Sequence, residues 1–336
     1  MSGKLEFCQT KIIMKKEHIF ITGATGFIGS HVTEHFISNN SYQIVTVVRK
    51  TADYKKVASF RKKGAIVLEG DFFDTRIIDR IFHEFPIHHV IHLASLRGAG
   101  FAAKQVYYKV NVAGTEILLE HSLRNNIKKF IFCSSVGVLG TIPTDLPATM
   151  NTQLNADNTY HKSKLLAEDK VREFMELGLD AYIVRPTISY GHGDRGFPKT
   201  LVDLVRRRLL FLPNEDIHIH LLNVRKFAEL LNQMIGFRSP QKRAFFAADA
   251  NPISLEKLVN LIHFHYHGSQ YPSYLRLPNQ IFDLLSIFFR LLSYEKWLTR
   301  TLLISKSWYY DITDIVNTFE YTPARTEDSF IKVMCS

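Results

Sequence analysis

The chain has 336 residues, 46% of them hydrophobic and 22% charged, enough for one large or two ordinary cores and too apolar for default disorder. The formal charge of +10 favours anionic partners, but the basic clusters Lys55-Lys56, Arg61-Lys62-Lys63, Lys128-Lys129 and Arg206-Arg207-Arg208 are scattered. They read as solvated faces, and without a recognisable module or aromatic-interleaved basic stripe no nucleic-acid partner is expected.

The first ten residues are polar and lack the apolar run of a secretory signal. Met14-Lys15-Lys16-Glu17-His18 leads directly into a strand, so residues 1–13 are expected to be an N-terminal extension. Cys8, Cys133 and Cys335 are too few and too scattered for a disulfide framework. No Cys/His cluster has metal-ligand spacing, so no metal site is expected, and a reducing cytoplasm is the simplest setting.

Short β-branched runs then alternate with helical patterns: His18–Thr22, Ile44–Val48, Ala65–Leu68, His89–Leu93, Phe130–Cys133 and Ala181–Val184. Strands apolar on both faces and separated by helices predict an α/β fold, a Rossmann-type doubly wound parallel sheet. The first strand runs into Thr22-Gly23-Ala24-Thr25-Gly26-Phe27-Ile28-Gly29, with a helix after it. Glycines three apart allow a tight turn, close backbone approach to a pyrophosphate and close helix–sheet packing. Residues Gly23, Thr25, Gly26, Phe27, Ile28 and Gly29 are therefore expected to bind a dinucleotide. An NAD-selective site usually carries an acid at the end of the second strand, but here the chain reads Val48-Arg49-Lys50. Arg49 suits the additional phosphate of NADP, so NADP is expected, with NAD as the alternative.

Further along, Asn158-Thr159-Tyr160-His161-Lys162-Ser163-Lys164 opens a helix. Its register places Tyr160 and Lys164 on one face with Ala167, Val171, Phe174, Met175 and Gly178, while Asp169 and Glu173 point away. A lysine on an apolar stripe calls for a partner or a task. A phenol of pKa near 10 is a poor base at neutral pH, and a cation one turn away stabilises its phenolate.

The pattern changes after Tyr190-Gly191-His192-Gly193-Asp194, with Pro198, Pro213, Pro252, Pro272 and Pro278 punctuating shorter elements. We expect a dinucleotide-binding domain over 14–190 and a smaller, mostly helical substrate lobe over 191–336. Ile217–Leu222 and Ala244–Ala247 are expected strands, parts of 217–250 rejoining the main sheet. Ile281–Leu292, which contains Asp283 and Arg290, is too short to span a bilayer. It reads as core first, then as a wall of an apolar pocket, then as a helix in weak contact with a membrane surface.

The glycine pattern and the Tyr-x-x-x-Lys pair together resemble the extended short-chain dehydrogenase/reductase family, in its epimerase/dehydratase group, over nearly the whole chain from Met14. Gly70-Asp71-Phe72 is similar to the family's adenine-contacting segment. His92-Leu93-Ala94-Ser95 and Asn111-Val112-Ala113-Gly114-Thr115 match two further motifs, and Arg185-Pro186 with Tyr190-Gly191 resembles the segment closing over the nicotinamide. The resemblance implies cofactor contacts from Asp71, Phe72, Ala94, Asn111, Lys164 and Pro186. It also implies that Ser135, five residues before Gly140, holds the substrate oxygen, that Tyr160 moves its proton, and that Lys164 binds the nicotinamide ribose. His161 and His192 read as structural or solvent-facing. In this family the helix bearing Leu165 and Leu166 often forms a two-fold interface, which implies a homodimer.

Family dehydratases follow the serine with Asp-Glu; Val136-Gly137 stands here, which disfavours dehydration. Two small-molecule substrate classes remain. A nucleotide sugar would be epimerised or reduced at C4, although the arginine preceding the Ile-His-Val-x-Asp motif has no clear counterpart near Asp216–Asn223. A hydrophobic ketone or alcohol is handled by the hydroxysteroid and dihydroflavonol reductase branches, the former of which Asn223-Val224 resembles. A silent NADP-binding sensor is the third reading, disfavoured by intact Ser135, Tyr160 and Lys164.

Overall fold

The computed structural model describes residues 16–98, 102–237 and 242–335; the expected extension over 1–13 and Cys8 lie outside them. From the start strands and helices alternate: β1 (Glu17–Thr22), α1 (Phe27–Asn39), β2 (Tyr42–Val48), α2 (Tyr54–Lys62), β3 (Ile66–Glu69), α3 (Thr75–Glu84) and β4 (Ile87–His92). Next come α4 (Lys104–Tyr107), which continues through a π-helical segment, Tyr108–Ala113, into α5 (Gly114–Arg124), and β5 (Lys129–Cys133). A short 3-10 turn, Val136–Leu139, precedes α6 (Thr159–Glu176) and β6 (Ala181–Pro186).

The strands form a seven-stranded sheet in which β3, β2, β1, β4, β5 and β6 lie side by side, all parallel. This order reverses between β1 and β4, where an open α/β sheet offers a crevice at its carboxyl edge. Alternation along each strand explains the doubly apolar runs: Ile19 and Ile21 join one core cluster and Phe20 the other, as Ile131 does opposite Phe130 and Phe132. Helices α3, α5 and α6 pack together on one face and α1 with α8 (Val224–Gly236) on the other.

The remainder comprises β7 (Ile188–Tyr190), α7 (Phe197–Arg206), β8 (Leu212–Pro213), β9 (His218–Ile219), β10 (Leu221–Asn223), then α8, β11 (Ala244–Ala247) and β12 (Ile253–Ser254). After these run α9 (Leu255–His267), β13 (Arg276–Leu277), α10 (Asn279–Leu291), α11 (Glu295–Ser305), α12 (Thr313–Phe319) and α13 (Thr326–Met334). Strand β11 adds to β6 as the seventh strand. Ile217–Leu222 does not rejoin the sheet: β9 pairs antiparallel with β12, and β10 pairs with β7. The break falls at His220, which turns inward and hydrogen-bonds the Asp249 carbonyl through Nε2 at 2.8 Å. The stripe on α6 ends at Met175, because the helix stops at Glu176 and Gly178 lies beyond it in a turn with φ +101°.

Candidate functional site

Thr22 ends β1 and the chain reverses at Gly23, whose φ of +74° is a left-handed value that favours glycine. A Cβ on Gly23 would lie 2.7 Å from the Ala94 nitrogen, and one on Gly29 would lie 2.0 Å from the Gly23 carbonyl. The loops after β1 and β4 therefore meet backbone to backbone at the reversal point. Helix α1 starts after Gly26 with no side-chain cap, and its first turn contains no acidic residue. Uncapped N–H groups beside a partly exposed loop suit a diphosphate, so the segment Gly23 to Gly29, with Thr25, Phe27 and Ile28, fits a dinucleotide.

Arg49 lies exposed just past β2. The nearest acid in sequence, Asp53, caps α2 by accepting from the Lys55 N–H at 2.9 Å. Lys56, which the sequence reading passed over, donates to the Thr25 carbonyl at 3.3 Å and to Ser30 Oγ at 3.1 Å. Asp71 and Phe72 are partly buried past β3, and the Phe72 ring packs against Gly114, where an added Cβ would meet it at 2.7 Å.

Beneath the crevice runs a buried polar chain. Thr22 Oγ1 accepts from the Ala94 N–H at 3.2 Å and meets His92 Nδ1 at 2.6 Å; His92 Nε2 meets Thr115 Oγ1 at 3.0 Å, which donates to the Asn111 carbonyl at 2.7 Å. Since each hydroxyl has one proton, this pattern fits an Nε2–H tautomer of a neutral His92. Burial, aided by the Lys164 charge, holds His92 well below the usual histidine range. Asn111 is 1% exposed. Its amide donates to the Leu96 carbonyl and to Ser163 Oγ, both at 2.9 Å, and accepts from the Leu96 N–H at 2.7 Å. Both amide protons are thus committed, and Asn111 clasps the loop after β4 to α6. Pro186 is buried at the end of β6, opposite Ala247.

Ser135 caps the 3-10 turn, accepting from the Gly137 N–H at 3.1 Å. Its hydroxyl and that of Ser95 hydrogen-bond the Tyr160 phenol, and the Arg97 charge reaches it. Burial outweighs these, with the nearby Cys133 sulfur, and pushes the phenol up to about 12. Lys164 is 2% exposed, and among the described residues its Nζ hydrogen-bonds only the Cys133 carbonyl, at 2.6 Å, while lying 4.1 Å from the Phe132 ring centroid. Burial lowers it to about 8, against the opposing fields of Cys133 and Glu168. Ser135, Tyr160 and the amine of Lys164 thus gather at the carboxyl edge of β5. The cation acting on the phenol is Arg97, which the sequence reading did not single out although it follows His92-Leu93-Ala94-Ser95 by two residues.

Two further groups brace the site, His161, read from the sequence as structural or solvent-facing, and Glu168, which was not singled out. His161 Nδ1 lies 2.5 Å from Asp157 Oδ1, and its ring covers Gly137 so closely that a Cβ there would be 2.2 Å from it. Asp157 also accepts from the Thr141 N–H at 2.7 Å, so this pair stitches the Ser135 turn to α6. His192 stays outside the site, its carbonyl meeting His31 Nε2 at 2.9 Å. Glu168, fully buried one turn after Lys164, binds Arg185 through 2.9 and 2.7 Å contacts and Arg172 at 2.6 Å. Its place on the apolar stripe was the available signal.

A cavity of about 440 Å³, mostly apolar, opens between α7 and α11, walled by Gly98, Phe197, Leu204, Trp297 and Ile304 with Arg195 and Arg300 at its polar positions. A shallower depression of about 620 Å³ on α9 shares no residue with it. Among the described residues no group of three or more His, Cys, Asp or Glu could hold a metal ion.

The fold matches known structures closely. The Bordetella bronchiseptica enzyme WbmG in complex with NAD and UDP has a TM-score of 0.76 at 16% identity, covering 96% of this chain and 94% of that one. The Thermotoga maritima UDP-glucose 4-epimerase with UDP-glucose has a TM-score of 0.72 at 19% identity, covering 91% and 93%. In sequence the chain is 34% identical over 161 residues to the UDP-glucose 4-epimerase of Bacillus subtilis, covering 46% of this chain and 47% of that protein. The Haemophilus influenzae UDP-glucose 4-epimerase is 31% identical over 162 residues with the same coverage. The chain thus spans about half the length of the relatives it matches in sequence. The model of the NAD dependent epimerase/dehydratase family matches residues 19–227, so this chain belongs to that family.

Proposed function

We propose that the protein is an NAD(P)-dependent enzyme of the extended short-chain type that transfers hydride at a sugar-like alcohol or ketone carbon, as a nucleotide-sugar 4-epimerase or 4-keto reductase. The observation that carries this reading is the convergence of Ser135, Tyr160 and Lys164 on the crevice beside the uncapped glycine loop. A bound nicotinamide would supply the hydride acceptor or donor. Ser135 would hold the substrate oxygen by a hydrogen bond and Tyr160 would take or return its proton. The buried ammonium of Lys164 would reach the nicotinamide ribose, and Arg97 would favour the phenolate that burial and Cys133 oppose.

Exposed Arg49, with Asp53 turned to capping and Lys56 beside Thr25, supports NADP in place of NAD. The same reading includes a homodimer built on α6, where Leu166 is 40% exposed, to be checked by light scattering. The mainly apolar lining of the 440 Å³ cavity favours one competing reading, reduction of a hydrophobic ketone. Nucleotide that co-purifies with the chain separates these readings: NAD retained through dialysis fits epimerisation, loosely held NADP a reductase. Tyr160→Phe should abolish turnover and leave nucleotide binding intact; unchanged turnover would reject the site.

A further inference from the structure

Helix α10 has two apolar stripes, and only one faces the protein. Phe282 and Ser286 are buried and Phe289 is partly so, whereas Leu284 is 67% exposed, Ile287 54%, Phe288 52% and Leu291 79%. Positions 284, 287, 288 and 291 follow the i, i+3, i+4, i+7 spacing of one helix face, turned outward. The helix packs chiefly on α11, and at the hairpin tip Tyr294 and Trp297 are each 54% exposed. Trp297 stacks on Phe289 at 6.1 Å and lies under the Arg300 guanidinium at 5.5 Å. Residues 279–306 hold two acids, Asp283 and Glu295, against four bases, Arg290, Lys296, Arg300 and Lys306. Lys306 already pairs with Asp283 at 2.8 Å.

We propose that the α10–α11 hairpin docks on an anionic lipid surface, with Leu284, Ile287, Phe288 and Leu291 in the acyl boundary and the basic side chains at the headgroups. Apolar residues on one face, aromatics at the tip and an excess of positive charge are what such a surface recognises. A two-fold contact with a second copy would bring a second set of Arg290, Lys296 and Arg300 near the first, doubling the positive charge at the contact. Residues 1–15, with three lysines and one glutamate, carry the wrong sign to neutralise this face. No helix among the described residues is long and apolar enough to cross a membrane, so the contact would lie in the surface. Trp297, Lys296 and Arg300 also wall the 440 Å³ cavity, which places its rim at the proposed lipid boundary.

The test is co-sedimentation of the full chain with phosphatidylcholine vesicles, with or without phosphatidylglycerol. Binding to the phosphatidylglycerol vesicles is expected, weakened by salt and accompanied by a blue shift of tryptophan emission. That shift reports Trp297, because the only other tryptophan, Trp308, is 1% exposed. The variant Leu284→Ser/Phe288→Ser/Leu291→Ser should lose about tenfold or more in vesicle affinity with unchanged nucleotide binding. Should that variant fail to fold, Arg290→Glu should weaken binding in the same direction. Absence of binding, equal binding to both vesicle types, or a dimer by light scattering that the triple variant dissolves would overturn the proposal. Vesicle binding requires no turnover, so its failure leaves the catalytic reading standing.

Discussion

Lys164 and Glu168 are one turn apart on α6, and both are buried, yet their surroundings differ in kind. Glu168 has two arginines: burial pushes its carboxyl up, but the hydrogen bonds and charge of Arg185, with Arg172, outweigh this and hold it below the usual range. Lys164 has a carbonyl and a ring face, and burial wins. A buried charge with matched partners ties α6 to β6; a buried charge left without a counter-ion sits where a ligand could complete it. A paired and an unpaired buried charge are separated here by a single turn of helix.

The largest effect expected from breaking this contrast is on turnover. Tyr160→Phe should reduce it by about 10²–10⁴-fold, read in steady-state assays with nucleotide sugars and hydrophobic ketones. Next in size is Arg185→Met, which strands Glu168 with only the half-exposed Arg172; a loss of about 3–5 kcal/mol is expected in denaturant unfolding. Lys164→Met should do the opposite, abolishing turnover without lowering stability. The sign follows from linkage: the folded amine titrates near 8 and the unfolded one at 10.5, so its contribution to stability should rise with pH across that window, while Cys133, raised from 9.0 to about 11, acts oppositely over its upper part. The difference in stability between wild type and the methionine variant should therefore shift toward the wild type as pH rises from about 8 to 10.5.

Asp249 is a third case, a fully buried carboxylate whose hydrogen-bond partners are neutral. Tyr190 and Thr326 donate to it at 2.7 and 2.6 Å and the Asn223 N–H at 2.8 Å, and burial still raises it from 3.8 to about 6. Its folded state holds the proton longer, so it should remove about 3 kcal/mol of stability as pH rises from 3.8 to 6. His220, lowered by burial to about 4, acts oppositely over an overlapping window. The difference between wild type and Asp249→Asn, measured by thermal unfolding at several pH values, isolates the carboxylate: the variant should gain on the wild type as pH rises. The smallest effect concerns the stitch beside Ser135. Gly137→Ala should cost about 1–3 kcal/mol by pressing on His161, and His161→Ala in the same chain should relieve most of it.

The strands, the glycine loop and the Tyr160–Lys164 register were legible because each depends on spacing within a short segment: period two in strands, 3.6 in α6, three between glycines. The same local logic found the apolar stretch over 281–292 but not which side it would present. Arg97 and Lys56 gave no local signal, since their partners arrive from other elements; the His161–Asp157 pair is local at i, i+4, but its hold on Thr141 and Gly137 is not. Asn111 matched a motif, yet its amide is saturated by Leu96 and Ser163, 15 and 52 residues away.

By itself the sequence determined the alternation of strands and helices, the turn that only glycine can make at Gly23, and the placing of a phenol and an amine on one helix face, because sterics and periodicity act between near neighbours. Tertiary structure decided the rest: that Glu168 is paired and Lys164 is not, that Ile217–Leu222 leaves the sheet, and that an apolar stripe of α10 faces out. Those outcomes turn on which distant groups share a low-dielectric interior, and burial and charge pairing across the chain settle them.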